Sequence, residues 1–371
     1  MRIAVVGAGI AGLATALALA RSGPAVTVLE RADPIEPVGA GIQVSPNAMR
    51  VVRALGLERA LNAHASAPRE IVLRDGRTGG VLARVPLGAT IEAKHGAPYL
   101  TVHRGDLQAV LLGAARHEPR VALRLGVAVE GVDRDGTVRW DGGSERFDLV
   151  VGADGVRSAV RAGVRNDAVD FGRITAWRAN VATAALPRAL AGPRTGAWLG
   201  PEGHVVHYPI RSGTVTNIVA VVPGEGTPDA AFVRWTGEAR RLLAAADEWK
   251  PWPTPRLDAG RPWSGGRVVL VGDAAHAMWP FAAQGGAMAL EDGWTLAVAL
   301  ARGGVDALPE WERERRERVA RVAALAARNR FVYHARGPVR LARNAVMRLV
   351  PVEALMRPVD AVYSWVPPEM P

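Results

Sequence analysis

"RIAVVGAGIAGLATALALARSG", residues 2–23, decides the fold. A short apolar run, RIAVV, leads into Gly7-x-Gly9-x-x-Gly12, and an Ala/Leu-rich helix follows that stops at Gly23. A second β run, AVTVLE at 25–30, closes on Glu30, 18 residues after Gly12. That distance is close to the ~20 residues expected between the glycine turn and the acid of a dinucleotide-binding βαβ unit. GxGxxG by itself says little in a chain with 41 glycines. The strand before it, the helix after it and the acid ending the next strand make it specific. Gly7 serves the tight turn, Gly9 admits a pyrophosphate, and Gly12 lets helix and strand close up, with Ala11 inside the same turn. The helix N-terminus faces the phosphates, while Glu30, followed by Arg31, meets ribose hydroxyls. FAD and NAD both fit this site, and an acid at position 30 disfavours a 2′-phosphate.

Two further stretches repeat the design. "FDLVVGADGVRSAVR" (147–161) is a strand running into Gly152-Ala-Asp154-Gly155, with a helix expected from about Ser158. "RVVLVGDAAHAMWPFAAQGGAMALEDG" (267–293) is an apolar strand, then Gly272-Asp273, Pro280, and Gly285-Gly286 opening a helix. A carboxylate at a strand end followed by a glycine-led helix start suits a ligand with both hydroxyls and phosphates. Asp154 reads either as a cofactor ligand or as a turn-forming Asp before Gly155.

These three motifs, in this order and spanning nearly the whole chain, resemble those of the flavin-dependent aromatic hydroxylases of the p-hydroxybenzoate hydroxylase type. The resemblance implies non-covalent FAD in the first site. It also implies NADH or NADPH as a transient reductant, with O2 and a small aromatic acid as substrates. Carried over by motif, Asp273 holds a ribityl hydroxyl of FAD, and Gly272, Gly285 and Gly286 bring backbone close to flavin and pyrophosphate. Pro280 lies near the isoalloxazine ring, and Gly41 in "GAGIQ" (39–43) belongs to the loop beside it. Arg104 in "TVHRGDLQAVLL" reaches the phosphates, as an Arg fork suits them. Asp154 works with Arg157 near FAD, and His276 orients the loop after Asp273. Much of the family reads P-x-x-G-Q-G where this chain has Pro280-Phe-Ala-Ala283-Gln284-Gly285. Ala with Gln retained is more similar to the salicylate hydroxylase and 3-hydroxybenzoate 6-hydroxylase branch, which points to a hydroxybenzoate, salicylate or hydroxynicotinate.

The fold class expected is α/β, with a Rossmann-like parallel-sheet FAD domain, a smaller antiparallel-sheet substrate domain and C-terminal helices. The middle of the chain reads as strands joined by turns: "ITAWRANVATAAL", "TGAWLG", "GHVVHYPIRSG" and "TVTNIVAVVPG". The FAD domain is therefore discontinuous, over 1–68, 98–172 and 259–331. The substrate domain takes 69–97 and 173–258, and 332–371 is a helical tail packing on the FAD domain. Residues 308–331 form one long charged helix with an apolar stripe, and Ser45 and Pro46 are the N-cap and first residue of another.

The stretch "GHVVHYPIR" (203–211) holds the candidates for the chemistry. Side chains alternate along a strand, so His204 and Tyr208 share one face and His207 takes the other. The His-x-x-x-Tyr spacing resembles the catalytic pair of the 3-hydroxybenzoate branch. It makes His204 the candidate base for a phenol proton, Tyr208 a substrate hydrogen-bond partner, and Gln284 a further substrate contact. Either ring is otherwise a sheet residue satisfied by backbone. The 11 Trp outnumber the 5 Phe and 4 Tyr together; Trp177 and Trp279 are the best placed to wall a pocket, or else pack in the core.

Composition excludes other classes. The formal charge of +10 comes almost wholly from scattered Arg, with Lys only at Lys94 and Lys250, and no basic block with interleaved aromatics marks a nucleic-acid surface. The field still attracts anionic ligands. No Cys is present, so disulfides, thiolate metal sites and Cys nucleophiles are out, and an intracellular, cytoplasmic setting fits. Neither a helical His-x-x-x-His, an HExxH nor a Gly-x-Ser-x-Gly occurs, so no metal or serine-hydrolase site is expected. No stretch reaches the roughly 18 apolar residues of a membrane span; a soluble monomer or homodimer without stable membrane association is expected. Epoxidation or prenyl reduction on the same fold, and a flavin-binding module without turnover, stay open.

Overall fold

The computed structural model describes residues 1–36, 39–224, 226–235 and 237–371. Strands β1 (Arg2–Val6), β2 (Ala25–Leu29), β3 (Gly41–Val44), β4 (Glu70–Asp75), β5 (Val81–Pro86), β6 (Leu100–His103), β7 (Val121–Arg124) and β8 (Leu149–Gly152) occupy the first half. After them come β9 (Ile174–Ala182), β10 (Arg194–Gly200), β11 (Gly203–Ile210), β12 (Val215–Pro223), β13 (Lys250–Pro253), β14 (Ser264–Gly265) and β15 (Val268–Leu270). A three-stranded meander over 129–146 is inserted between β7 and β8. The principal helices are α1 (Ile10–Arg21), α2 (Pro46–Ala54), α3 (Arg104–His117), α4 (Gly285–Gly303), α5 (Leu308–Tyr333), α6 (Gly337–Leu349) and α7 (Val352–Tyr363).

Five parallel strands and the antiparallel edge β14 form one sheet in the order β14-β15-β8-β1-β2-β7. Its central strands are buried almost throughout, which is why they read as unbroken apolar runs rather than alternating ones. From β1 the chain winds through α1 to β2 on one side and returns later to β8 on the other. The switch point of the sheet is thus the C-terminal end of β1, where ligands of such folds bind. Helix α4 crosses α1 so closely that a Cβ on Gly293 would lie 2.5 Å from Thr15 Oγ1 and 2.9 Å from Thr15 Cα.

The second sheet has seven strands in the order β13-β9-β12-β11-β10-β4-β5, all antiparallel except the β10–β4 pair. Its far face is covered by Phe232, Trp235, Leu242 and Leu243. Its near face looks towards β3 and the turn at 280–282, where Ala176, Val219 and Val221 meet Phe281.

Three local expectations change. Residues 158–161 do not start an α-helix; a single 3-10 turn, Val160–Gly163, ends where a Cβ on Gly163 would overlap Val132 O. The long helix runs two residues past 331, to Tyr333. The tail packs on the second sheet as well as on helices of the FAD domain: fully buried Asp75 of β4 accepts from Arg340 at 2.9 and 2.6 Å and from Asn344 at 2.8 Å. Its other anchor is on α2, where Arg50 donates to Tyr363 O at 2.7 Å and to Trp365 O at 2.5 Å. No helix among the described residues is long and apolar enough to cross a membrane.

Candidate active site

The three glycine motifs converge at the switch point. Gly7 has φ +102°, and a Cβ there would meet Ala153 O at 2.7 Å and Asp154 Cα at 3.1 Å, so the first motif lies against the second. A Cβ on Gly12 would overlap Gly7 O, whereas one on Gly9 would meet nothing within 4 Å. These are the turn, the packing contact and the open approach read from the sequence. Gly272, at φ +59°, brings the third motif within 3.0 Å of Ala11 Cβ when a Cβ is placed on it.

Around this cradle the polar groups fit a dinucleotide. Glu30 ends β2 with Oε2 accepting from Ala8 N at 2.7 Å and Oε1 from Ala32 N at 3.0 Å, which fixes the glycine loop and leaves carboxylate lone pairs for a hydroxyl. Arg31 beside it is exposed. Asp273 heads a one-turn helix with its side chain exposed, although its neighbours Gly272 and Ala274 are buried. Gly285 opens α4 onto empty space. Arg104 opens α3 beside Gly39, whose Cβ would lie 3.2 Å from Arg104 Cβ, and one turn on Gln108 donates to Ala8 O at 2.8 Å. Asp154 Oδ2 caps the turn at 2.7 Å from Ala159 N, while buried Oδ1 has no partner among the described residues. Burial pushes this carboxyl up. The turn-forming role of Asp154 is visible, with one oxygen to spare.

The cradle is held from behind by a buried charge network that the sequence reading missed. Asp292 accepts from Gly272 N at 2.9 Å, His276 Nε2 at 2.6 Å and Arg315 Nε at 2.8 Å. Glu291 takes Arg315 Nη1 at 2.8 Å, Arg318 Nη2 at 2.9 Å and Asn47 Nδ2 at 2.8 Å. Burial works against the Asp292 carboxylate, and the charges of His276 and Arg315 outweigh it, holding it at about 2. His276 is thus a loop-orienting residue, as expected. The signal available was a Glu-Asp pair inside an apolar helix, followed by Arg at i and i+3 in 315–318. Gln284 belongs to the same network: its Nε2 donates to Ser45 Oγ at 3.0 Å and its Oε1 accepts from Asn47 at 3.0 Å. Both ends of the amide are used in a buried place. These bonds fix the orientation of the Gln284 amide and leave one N–H and one oxygen lone pair for the expected substrate contact. Ser45 stands at the N-cap of α2, but its hydroxyl donates to Asn47 Oδ1 rather than capping the backbone.

On the near face of the second sheet, His204, Tyr208, Arg178 and Asn217 come together. The register pairs His204 with Val221, Tyr208 with Asn217 and Arg178 with Val219, which puts all four on one face and His207 on the other. His207 packs there with Trp198 Nε1 donating to its Nδ1 at 3.3 Å. Trp177 is also on that far side, covering the Phe232–Trp235 cluster, so it walls no pocket. Trp279 does stand near the site, beside Phe281 and between the guanidinium groups of Arg256 and Arg330 at 4.7 and 4.5 Å. Gly41 lies directly over the face, where a Cβ would come within 2.6 Å of Tyr208 Cε2. Asn217 Oδ1 accepts from Gly41 N at 2.9 Å and Arg178 Nη1 donates to Gly41 O at 3.3 Å. Arg178 Nε and Asn217 Nδ2 are buried without a partner among the described residues. Arg178 and Asn217 escaped the sequence reading; an Arg, the one charged residue inside the strand at 174–182, was the available signal.

His204 is 3% exposed and packs at tilted and edge-on angles among the rings of Phe281, Tyr333 and His334. Burial, then the neighbouring His334, hold its pKa well below the ordinary value, so the ring is neutral and able to accept a proton. Burial pushes the Tyr208 phenol up to about 12 against the opposing pull of Arg178, so this hydroxyl is a donor at neutral pH. The two groups have opposite proton roles.

A parallel sheet with glycine turns at its switch point, joined to a polar face roofed by the loop at Gly41, defines a dinucleotide-binding protein with a second, polar site beside the first. Residues 1–326 match the FAD binding domain family. The chain is 35% identical to the 3-hydroxybenzoate 6-hydroxylase of Polaromonas naphthalenivorans (strain CJ2), covering 98% of this chain and 96% of that one. It is 40% identical to the 3-amino-4-hydroxybenzoate 2-monooxygenase of Streptomyces cremeus over 90% and 88% of the two chains. The crystal structure of Klebsiella pneumoniae HpxO complexed with FAD and uric acid superposes with a TM-score of 0.85 at 26% identity, over 98% of this chain and 96% of that one. The chain belongs to the FAD-dependent aromatic hydroxylases, and its cofactor is FAD.

Proposed function

We propose that this monooxygenase hydroxylates a small monocyclic aromatic acid carrying a phenolic hydroxyl, of the hydroxybenzoate or hydroxynicotinate class. The observation that carries this reading is the near face itself. A cationic Arg178, an Asn217 whose Nδ2 has no partner among the described residues, a protonated Tyr208 and a neutral His204 line one sheet face, closed by Gly41 and Phe281. His204 and Tyr208 are four residues apart, about 13 Å along the strand at ~3.3 Å per residue, with Arg178 and Asn217 on the same face of the neighbouring strands. Arg178 and Asn217 offer donors to a carboxylate, Tyr208 donates to a substrate oxygen, and His204 Nε2 accepts the phenol proton. Bound FAD, reduced by NAD(P)H, supplies the activation of O2. The chain contributes orientation, water exclusion by Phe281, Val219 and Val221, and removal of the proton that makes the ring electron-rich.

The test is NAD(P)H oxidation by the purified, yellow holoenzyme against 3-hydroxybenzoate, 3-amino-4-hydroxybenzoate, salicylate and hydroxynicotinates, with product identification and a peroxide assay. Coupled hydroxylation of at least one is expected. His204→Ala slows it by about 10²–10⁴-fold, the range of general base catalysis, with FAD content unchanged. If no acid of the panel is hydroxylated, the substrate class is wrong.

A further inference from the structure

His204 is too deeply buried to exchange a proton with water directly, yet a base that removes one proton per turnover has to lose it again. Its Nε2 makes no hydrogen bond to a described residue, whereas its Nδ1 lies 2.9 Å from His334 Nε2. His334 follows the last turn of α5, is half-buried, and is fixed by its own backbone N–H donating to Arg330 O at 3.1 Å. We propose that His334 is the outer half of a proton relay, through which the phenol proton taken up by His204 reaches solvent. This rests on the reading of His204 given above.

The proton count closes with ordinary imidazole chemistry. Neutral His204 carries its hydrogen on Nδ1 and donates it to His334 Nε2. The substrate hydroxyl gives its proton to His204 Nε2, the Nδ1 hydrogen shifts to His334 Nε2, and His334 releases its own Nδ1 proton to water. The substrate is left as phenolate and neither ring stays charged. After hydroxylation the same path runs backwards, returning one proton to the product oxygen and restoring both tautomers.

The surroundings favour passage over storage. His334 faces Arg330 and Arg336 from its own segment, Arg343 from α6, and the rings of His204 and Phe281. Burial first, and then the three guanidinium charges, hold it down to about 4, so a proton arriving there at neutral pH leaves for water. His334 does not touch substrate in this scheme; it acts through His204.

The experiment compares holoenzyme carrying His334→Gln and His334→Ala with wild type and with His204→Ala, using 3-hydroxybenzoate and 3-amino-4-hydroxybenzoate. Gln accepts the same hydrogen bond from His204 but cannot relay a proton, so it separates orientation from transfer. Both His334 variants are expected to keep FAD and substrate KM. Their kcat for hydroxylation falls about 10²-fold, at the low end of the general base range, with more of the NAD(P)H going to peroxide. Their rates climb with pH between 6 and 8 where wild type is flat, and added imidazole restores part of the His334→Ala rate. A readout independent of turnover is a pH jump on enzyme holding 4-hydroxy-3-nitrobenzoate, whose visible phenolate band should appear about tenfold or more slowly in His334→Gln. A His334→Gln enzyme with wild-type kcat, pH profile and phenolate kinetics overturns the relay even if His204→Ala is inactive. A fully active His204→Ala overturns the underlying assignment instead.

Discussion

Replacing Arg315 by Met tests whether the cofactor cradle is held by buried charge. Arg315 is 3% exposed and bridges Asp292 and Glu291, both fully buried, through two hydrogen bonds of 2.8 Å. Met preserves the packing volume and removes the guanidinium. Glu291 keeps Arg318 and Asn47, but Asp292 keeps only Gly272 N and His276. Removing one partner of a buried ion pair typically costs 3–5 kcal/mol, and about that loss is expected in urea unfolding of the apoprotein. On the same helix, Arg313 pairs among the described residues with exposed Glu310, Glu314 and Glu317. Arg313→Met should therefore change stability by no more than about 0.5 kcal/mol. Because Asp292 anchors Gly272, FAD affinity should drop in Arg315→Met alone. Saturating FAD should recover part of the lost stability, about 2.7 kcal/mol at a hundredfold excess over Kd. Near-equal unfolding midpoints for the two variants would refute the reasoning, since the two sites differ in burial and not in the residue changed.

Two shorter predictions follow. Asp273→Ala should weaken FAD binding by about 1.5–3 kcal/mol, the contribution of a charged hydrogen bond, seen by fluorescence titration of the apoprotein; unchanged affinity would mean that its exposed carboxylate does not meet the cofactor. Ala283 sits at φ 52°, ψ 35°, a left-handed conformation costing a non-glycine residue about 1–2 kcal/mol. Ala283→Gly should stabilise the fold by up to about 1 kcal/mol after the greater freedom of unfolded glycine is subtracted, and a lower urea midpoint would contradict this.

Legibility in the sequence followed the range of the interactions. The βαβ unit was readable because its determinants are local: three glycines with distinct steric duties, a strand on each side and Glu30 at the fixed distance. The strand face shared by His204 and Tyr208 was readable because alternation depends only on the backbone. The hydrogen bonds that orient Gln284 were not legible because its partners, Ser45 and Asn47, lie about 240 residues earlier in the chain, and spacing carries no information about them. The choice between pocket wall and core packing at Trp177 stayed open in the sequence for a related reason. A Trp in a strand goes to whichever sheet face is covered by apolar side chains, and Phe232 and Trp235 provide that cover from outside the strand. Arg178, Asn217 and His334 acquire their meaning only from what the fold sets opposite them.

Helix α5 connects these long-range features. Near its start Arg315 and Arg318 fasten the Glu291–Asp292 pair behind the cofactor loop, and at its end Tyr333 and His334 pack on His204. Residues 315 and 334 are about 28 Å apart at ~1.5 Å per helical residue, so one rigid element references both the cradle and the His204 ring proposed as the base. Oxygen transfer needs the ring carbon and the flavin in register to within a fraction of an ångström, yet they are held by different sheets. A continuous helix fixed by buried ion pairs at one end and by an aromatic cluster at the other supplies that register. This accounts for a charged helix that buries two arginines where an apolar stripe alone would have packed.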